Sequence, residues 1–190
     1  MIAIDVKNKD AVAVAIKVIQ YGGVIIYPTD TIYGFGTDAA NDEAIDKLNN
    51  IKGRSGPISV LAPDQETALS WSNISNDEHE LIVSKLKRQT TVIYPVKKGI
   101  VSHKIMGEDG SLGVRIPNNA FCYELSKLSQ NPITSTSVNR HGSPPINEPG
   151  NILEEIGAEI DLFVDGGSLV GNKGSSIYKL AHGIMEKIRD

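Results

Sequence analysis

An apolar run followed at once by a dense polar segment is the feature that most constrains the fold of this chain. Residues 24–27 read VIIY, a pattern typical of a buried strand, and residues 28–34 read PTDTIYG. Gly22 and Gly23 end the preceding predicted helix, so the expected order is helix, strand, polar loop, helix. Ligands of open α/β sheets usually bind where strands end. A strand end that only has to turn would use Gly, Asn or Ser, so we interpret residues 28–34 as a binding loop.

The composition is that of a single globular domain, expected to span residues 1–190, with 40% hydrophobic and 22% charged residues. The formal net charge of -4 provides no overall basic field for holding nucleic acid, although a local basic patch would be compatible with it. The single cysteine, Cys122, lies in an apolar helical segment and is expected to pack in the core. The four histidines are scattered without metal-ligand spacing, so we expect no metal site built by the protein.

The chain carries no sign of a membrane or secretory segment. Its first residues, MIAIDV, lack a basic region and a long apolar stretch, so we expect no signal peptide. No apolar run is long enough to span a bilayer, and a cytoplasmic location is expected.

Helix and strand signals alternate along the chain. Strands are predicted at residues 2–6, 23–27, 58–61, 91–96, 113–116, 133–138, 161–165, 176–180 and 184–188. Helices are predicted at residues 10–21, 42–51, 64–72, 76–88, 119–129 and 151–158. Because several neighbouring strands are joined by short loops, the pattern predicts an α/β fold with a mixed, twisted sheet and flanking helices, not a purely parallel doubly wound sheet.

Three segments could carry chemistry, and each has a structural alternative. Lys52 and Arg54 flank a glycine after a predicted helix, where they suit phosphate oxygens or simply compensate the helix dipole. Residues 134–139 read TSTSVN, which is either a polar ligand site or an ordinary Thr-rich strand. Residues 165–176 are rich in glycine, but they lack the spacing of a P-loop and precede a strand, so a substrate-contacting turn and a plain flexible loop both remain open.

Together these segments resemble the YrdC-like family of single-domain threonylcarbamoyl-AMP synthases, over residues 12–189. The segments that carry the resemblance are GVIIYPTDTIYG at 23–34, IKGR at 51–54, GVRIP at 113–117, PITSTSVN at 132–139, DGG at 165–167 and GSSI at 174–177. The resemblance implies a YrdC-like twisted mixed sheet with flanking helices and an open concave cavity. It also implies a nucleotidyltransferase that makes threonylcarbamoyl-AMP and pyrophosphate from L-threonine, bicarbonate and ATP for tRNA modification, with Mg2+ arriving on the phosphates of ATP.

The resemblance assigns roles to individual residues. Those expected to bind L-threonine are Thr31, Arg115, Ser135 and Ser175. Those expected to bind ATP are Lys52, Arg54, Ser111, Ser137, Asn139 and Arg189, with Lys52 and Arg54 also catalytic. The loop between Lys52 and Pro57 is about two residues shorter than the family pattern, so an asparagine that often helps to bind ATP has no counterpart.

The expected partners beyond the substrates are the proteins that transfer the threonylcarbamoyl group to tRNA, with weak binding of tRNA itself and no membrane. Two alternatives use the same fold. One is an RNA-binding module that acts in ribosome or tRNA maturation, which the acidic net charge disfavours. The other is a carbamoyl-transfer paralogue, of a kind that usually lies within longer chains.

Overall fold

The computed structural model describes residues 1–190 and contains ten strands, six α-helices and two short 3-10 helices. The strands are β1 (Ile2–Asp5), β2 (Ile25–Tyr27), β3 (Gly34–Gly36), β4 (Ser59–Leu61), β5 (Thr90–Pro95), β6 (Ser111–Arg115), β7 (Ile133–Ser137), β8 (Leu162–Asp165), β9 (Ser176–Ala181) and β10 (Ile184–Arg189). The helices are α1 (Ala11–Gln20), α2 (Asp42–Lys52), α3 (Gln65–Ser70), α4 (Asn76–Lys85), α5 (Ala120–Leu128) and α6 (Pro149–Glu155). The 3-10 helices are His103–Ile105 and Gly157–Glu159.

All ten strands form one sheet in the order β1-β8-β2-β3-β7-β4-β6-β5-β9-β10. The sheet contains both parallel pairs, such as β4 with β6 and β5 with β9, and antiparallel pairs, such as β3 with β7 and β5 with β6. The prediction of a mixed sheet with flanking helices is therefore confirmed. None of the helices combines the length and the apolar character needed to cross a membrane.

Two hydrophobic clusters form the core. The smaller cluster contains Ala15 and Ile19 of α1 together with Phe121 and Leu125 of α5, and Cys122 lies fully buried within it, as predicted. The larger cluster joins residues of α2, α4 and α6 to strands that include β3, β5 and β6. Burying one apolar stripe of each helix against the sheet satisfies the periodic pattern from which the helices were predicted.

The prediction for residues 34–36 was wrong, because these residues form β3 and not part of a continuous loop leading to a helix. The segment reads GFG, and because glycine is disfavoured in strands, no strand was expected there. The structure explains the glycines. A Cβ on Gly36 would lie 2.6 Å from Cε1 of Tyr27, so only glycine lets β3 pair closely with β2 beside this buried ring.

Other differences concern the ends of elements. Helix α4 ends at Lys85, three residues before the predicted end at 88, and α6 begins at Pro149 instead of residue 151. Proline fits the first turn of a helix, where its missing N–H is not needed. The predicted end of that last helix, near residue 158, instead lies in the separate 3-10 helix Gly157–Glu159.

Candidate active site

An open cavity of about 420 Å³ lies at the loop of residues 28–34 and the strands around it. Its walls come from this loop, from the segment that leads into β4, from β7, and from the segment that leads into β9. Most of its lining is polar. The cavity thus occupies the strand-end position at which the sequence predicted a binding loop.

The structure brings most of the predicted site residues to this one cavity. Those that line it are Thr31, Arg54, Arg115, Ser135, Ser137, Ser175 and Arg189. Lys52 and Asn139 lie directly behind the wall, in hydrogen-bond contact with each other and with Ser137.

Thr29 shapes the polar loop. Its hydroxyl accepts a hydrogen bond from the backbone N–H of Thr31 at 3.0 Å and lies 2.8 Å from the carbonyl oxygen of Ile32. The hydroxyls of Thr29 and Thr31 are 2.9 Å apart, and both residues are buried. This turn holds the Thr31 side chain at the cavity wall.

Arg115, the last residue of β6, forms a buried ion pair with Asp30 of the loop. Its Nη2 atom lies 2.6 Å from Oδ1 of Asp30, and its Nη1 atom donates to the Thr31 hydroxyl at 3.3 Å. Nε of Arg115 and Oδ2 of Asp30 are buried without a hydrogen-bond partner. The Asp30 carboxylate therefore binds Arg115 of β6. No spacing could show this, because the two residues come from distant parts of the chain.

Lys52 is the last residue of α2, which is capped at its N-terminus by Asn41, whose side chain accepts hydrogen bonds from two backbone N–H groups. Gly53 then ends the helix in the left-handed conformation, with φ of 68°. The Lys52 ammonium group donates to Ser137 O at 2.7 Å, to Asn139 O at 3.3 Å and to Asn139 Oδ1 at 3.1 Å. All three of its donors therefore hold the turn after β7.

The environment of Lys52 lowers its pKa from 10.5 to about 8. The main cause is burial, which disfavours the charged form, and the positive charge of Arg54 adds to the effect. The Phe35 ring, 5.3 Å from Nζ, offers a face that attracts the cation. The surroundings of Lys52 therefore disfavour its charged form, and the residue lies next to a polar cavity.

Ser175 is held from two sides. Its hydroxyl lies 2.8 Å from that of Thr91, near the start of β5, and its carbonyl oxygen accepts a hydrogen bond from Arg189 Nη2 at 2.9 Å. Thr91 also lines the cavity, although no motif in the sequence marked it as a site residue. It resembles any strand threonine, and only the parallel pairing of β5 with β9 reveals its position.

Tyr33 fastens the polar loop to the glycine-rich segment. Its hydroxyl donates to Gly167 O at 2.8 Å and accepts from Gly166 N at 2.8 Å. A Cβ on Gly166 would lie 2.6 Å from Cβ of Pro28, so this close approach requires glycine.

Ser111 is the one predicted site residue that the structure does not bring to the cavity. It lies at the opposite end of the five-residue strand β6 from Arg115, roughly 13 Å away at the usual rise of a strand. Its hydroxyl donates to Asp109 Oδ1 at 2.5 Å. No group of three or more His, Cys, Asp or Glu side chains in the chain could hold a metal ion.

The fold and the site define an α/β protein with a polar, cation-lined cavity on a mixed sheet. The family model Sua5_yciO_yrdC, which carries the description telomere recombination, matches residues 17–190. The chain belongs to this Sua5/YciO/YrdC family.

The curated relatives include a threonylcarbamoyl-AMP synthase of Vibrio campbellii, which is 30% identical over 169 residues, 85% of this chain and 90% of the relative. Among solved structures, P. abyssi Sua5 complexed with L-threonine matches with a TM-score of 0.87 at 23% identity, over 99% of this chain. The chain spans 56% of that Sua5 chain, little more than half. E. coli YciO matches with a TM-score of 0.85 at 22% identity, over 100% of this chain and 93% of its own.

Proposed function

We propose that this chain is an L-threonylcarbamoyladenylate synthase. One observation carries the proposal: a single cavity is lined both by the buried Arg115–Thr31 pair and by two cations, Arg54 and Arg189, that form no ion pair. Such a cavity suits a small carboxylate ligand next to a polyphosphate. The match to a relative with this activity over most of both chains supports the same conclusion.

L-threonine would occupy the part of the cavity next to the polar loop. Its carboxylate would bind Arg115, since guanidinium groups bind carboxylates through parallel hydrogen bonds. The hydroxyls of Thr31, Ser135 and Ser175 would contact the rest of the molecule. The P. abyssi Sua5 structure, a complex with L-threonine on the same fold, supports this choice of amino acid.

ATP would bind through Arg54, Ser137, Asn139 and Arg189, with Mg2+ arriving on its phosphates. Ser111 is left out of this site because it lies at the far end of β6. The donors of Lys52 are engaged with Ser137 and Asn139, so in this geometry Lys52 contributes its charge and holds the turn.

The reaction needs two bond-forming steps. The threonine amine and bicarbonate form a carbamate with loss of water, and a carbamate oxygen then attacks the α-phosphorus of ATP while the bond to pyrophosphate breaks. Lys52 and Arg54 would stabilise the charge that develops on the departing pyrophosphate, and the cavity would hold both reactants in line. The product, threonylcarbamoyl-AMP, would pass to tRNA-modifying proteins, with weak tRNA binding and a cytoplasmic location as parts of this proposal.

The test is release of pyrophosphate by the full chain with ATP, Mg2+ and bicarbonate. L-threonine should stimulate release, and L-serine should stimulate it less, because the missing methyl group is worth about 1–3 kcal/mol. Equal rates with threonine, serine and no amino acid would contradict the proposal. Replacing bicarbonate and threonine with carbamoyl phosphate tests the carbamoyl-transfer alternative, and salt-dependent RNA binding without ATP tests the RNA-binding module.

A further inference from the structure

The cations around the cavity are of two kinds. Arg115 is buried and its charge is neutralised by Asp30, with side chains that are 7% and 5% exposed. Arg54 and Arg189 form no ion pair, and Lys52 bonds only to neutral acceptors. The two substrates of the proposed reaction also differ in charge, because threonine carries a single carboxylate and ATP carries a chain of phosphates.

Asp30 is itself held in place. Its backbone carbonyl oxygen accepts a hydrogen bond from Gln89 Nε2 at 3.0 Å. Gln89 adopts φ of 56°, a conformation that costs energy for any residue other than glycine and that often marks a functional site. Gln89 also accepts a hydrogen bond from Ser176 N, so it ties the polar loop to the start of β9.

We propose that Asp30 keeps the two substrates in separate parts of the cavity: by neutralising Arg115, it excludes the polyphosphate from the amino-acid site. The inference rests on the proposed function, because it takes Arg115 as the ligand of the threonine carboxylate. A neutral pair offers hydrogen bonds to one carboxylate but little Coulomb attraction to a highly charged phosphate chain. The polyphosphate is therefore drawn to Arg54, Arg189 and Lys52. Asp30 acts through Arg115 and is a positioning and specificity-determining residue.

A merely structural role for Asp30 makes a different prediction. Removing the carboxylate would then destabilise the chain, but it would not change which anion competes with threonine. Competition between inorganic tripolyphosphate and L-threonine therefore separates the two roles, and calorimetry measures it without turnover.

The experiment titrates L-threonine into the full chain with and without tripolyphosphate. In the wild type, tripolyphosphate should change the threonine Kd by less than about twofold. In Asp30→Asn, the uncompensated Arg115 should attract tripolyphosphate, which should raise the threonine Kd by about tenfold or more. Asp30→Glu keeps the charge and should behave like the wild type. Asp46→Asn, which removes the partner of Lys104 in an exposed ion pair, is the matched control and should show no competition.

Competition in the wild type, or its absence in a folded Asp30→Asn, would overturn the inference. If Asp30→Asn does not fold, the neutral pair Asp30→Asn with Arg115→Gln replaces it. This double variant should bind tripolyphosphate within about twofold of the wild type while losing about tenfold in threonine affinity. A loss of tripolyphosphate affinity above about fivefold would mean that Arg115 already binds polyphosphate, which contradicts the inference.

A failure of the proposed function would be recognised by a different result in the same titrations. A wild-type chain that binds no threonine would contradict the threonine site itself. The inference about Asp30 would then be decided by tripolyphosphate alone. An additional binding event in Asp30→Asn that disappears in the double variant would support it, and the absence of that event would overturn it.

Discussion

The hydroxyls of Thr91 and Ser175 lie 2.8 Å apart, both in buried residues at the wall of the cavity. Replacing Thr91 with valine should remove this hydrogen bond. The Ser175 hydroxyl would then lose about 1 kcal/mol of the free energy that holds it in its present orientation. We expect the KM for L-threonine to rise about three- to tenfold, with a smaller effect on the KM for ATP. Steady-state kinetics with each substrate varied in turn measures both values.

Two variants serve as controls for Thr91. Thr91→Ser keeps the hydroxyl and should restore the wild-type KM. Thr134→Val also removes a buried hydroxyl, which accepts a hydrogen bond from Thr37 N at 3.0 Å, but Thr134 does not line the cavity. An equal rise in KM in Thr134→Val would assign the effect to stability alone.

The lowered pKa of Lys52 predicts an unusual pH profile. Because this pKa is about 8, the positive charge near the phosphates is lost as pH rises through about 8. The value of kcat/KM for ATP, which reports the free enzyme, should fall over that interval. Lys52→Arg keeps its charge at alkaline pH and should not show this fall. A wild-type profile that is flat up to pH of about 10 would contradict the assignment.

The same shift has a defined effect on stability. The pKa of Lys52 is lower in the folded chain than in the unfolded one, so the unfolded chain binds more protons between pH of about 8 and 10.5. The resulting penalty on folding is complete below about pH 8 and is relieved as pH rises towards 10.5. The free energy of unfolding of the wild type, measured relative to Lys52→Met, should therefore increase by up to about 3 kcal/mol over this interval.

Lys52 and Arg54 should respond differently to truncation. Arg54 is partly exposed and makes no ion pair, so Arg54→Ala should leave stability within about 0.5 kcal/mol while lowering kcat/KM for ATP about 100-fold. Lys52→Ala should lower both, because it also removes three hydrogen bonds that hold the turn after β7. Denaturant unfolding alongside kinetics checks the difference. Undiminished activity of Arg54→Ala would refute its proposed role.

Tyr33→Phe should loosen the glycine-rich segment. It removes the hydroxyl that bonds Gly166 N and Gly167 O, so backbone amides of residues 166–175 should exchange hydrogen faster. Tyr94→Phe is the matched control, since it loses a buried hydroxyl bond of 2.8 Å to Ala68 O away from the cavity. Both variants should lose about 1–3 kcal/mol of stability, but only Tyr33→Phe should change exchange in residues 166–175. Faster exchange of this segment in both would show a global effect.

Gly36→Ala should destabilise the chain by about 1–3 kcal/mol, because the new Cβ would lie 2.6 Å from the buried Tyr27 ring. Gly150→Ala is its control. Apart from its chain neighbours and the backbone of its own helix, no atom lies within 4 Å of the Cβ position at Gly150, which is in the first turn of α6. Thermal unfolding should show a lower Tm for the first variant only. Equal Tm values would mean that β2 and β3 can separate without cost.

Local patterns were sufficient for much of the fold. The apolar run at residues 24–27 and the periodic helices predicted their elements because each signal lies within one segment. Strand β3 was not predicted because its glycine Gly36 is required by the ring of Tyr27, on the partner strand. Its existence is a property of packing, which a single segment does not encode.

The candidate site, like the fold, could be predicted only in part from local sequence patterns. Thr31, Arg54 and Ser175 could be proposed from short motifs and do line the cavity. The ion pair of Asp30 with Arg115, and the hydrogen bonds of Lys52 to the turn after β7, depend on which chain segments lie next to each other. These contacts follow from the strand order, which the sequence did not predict.

The strand order also has a consequence for how the chain is made. Strand β8 lies between β1 and β2, and β7 lies between β3 and β4, so strands synthesised early are joined by strands synthesised late. Until those late strands leave the ribosome, the early ones keep unpaired edges of the kind that associate with other chains. Ser175 and Arg189 come later still along the chain. The complete cavity therefore arises only after the segment that carries Ser175 and Arg189 has been synthesised.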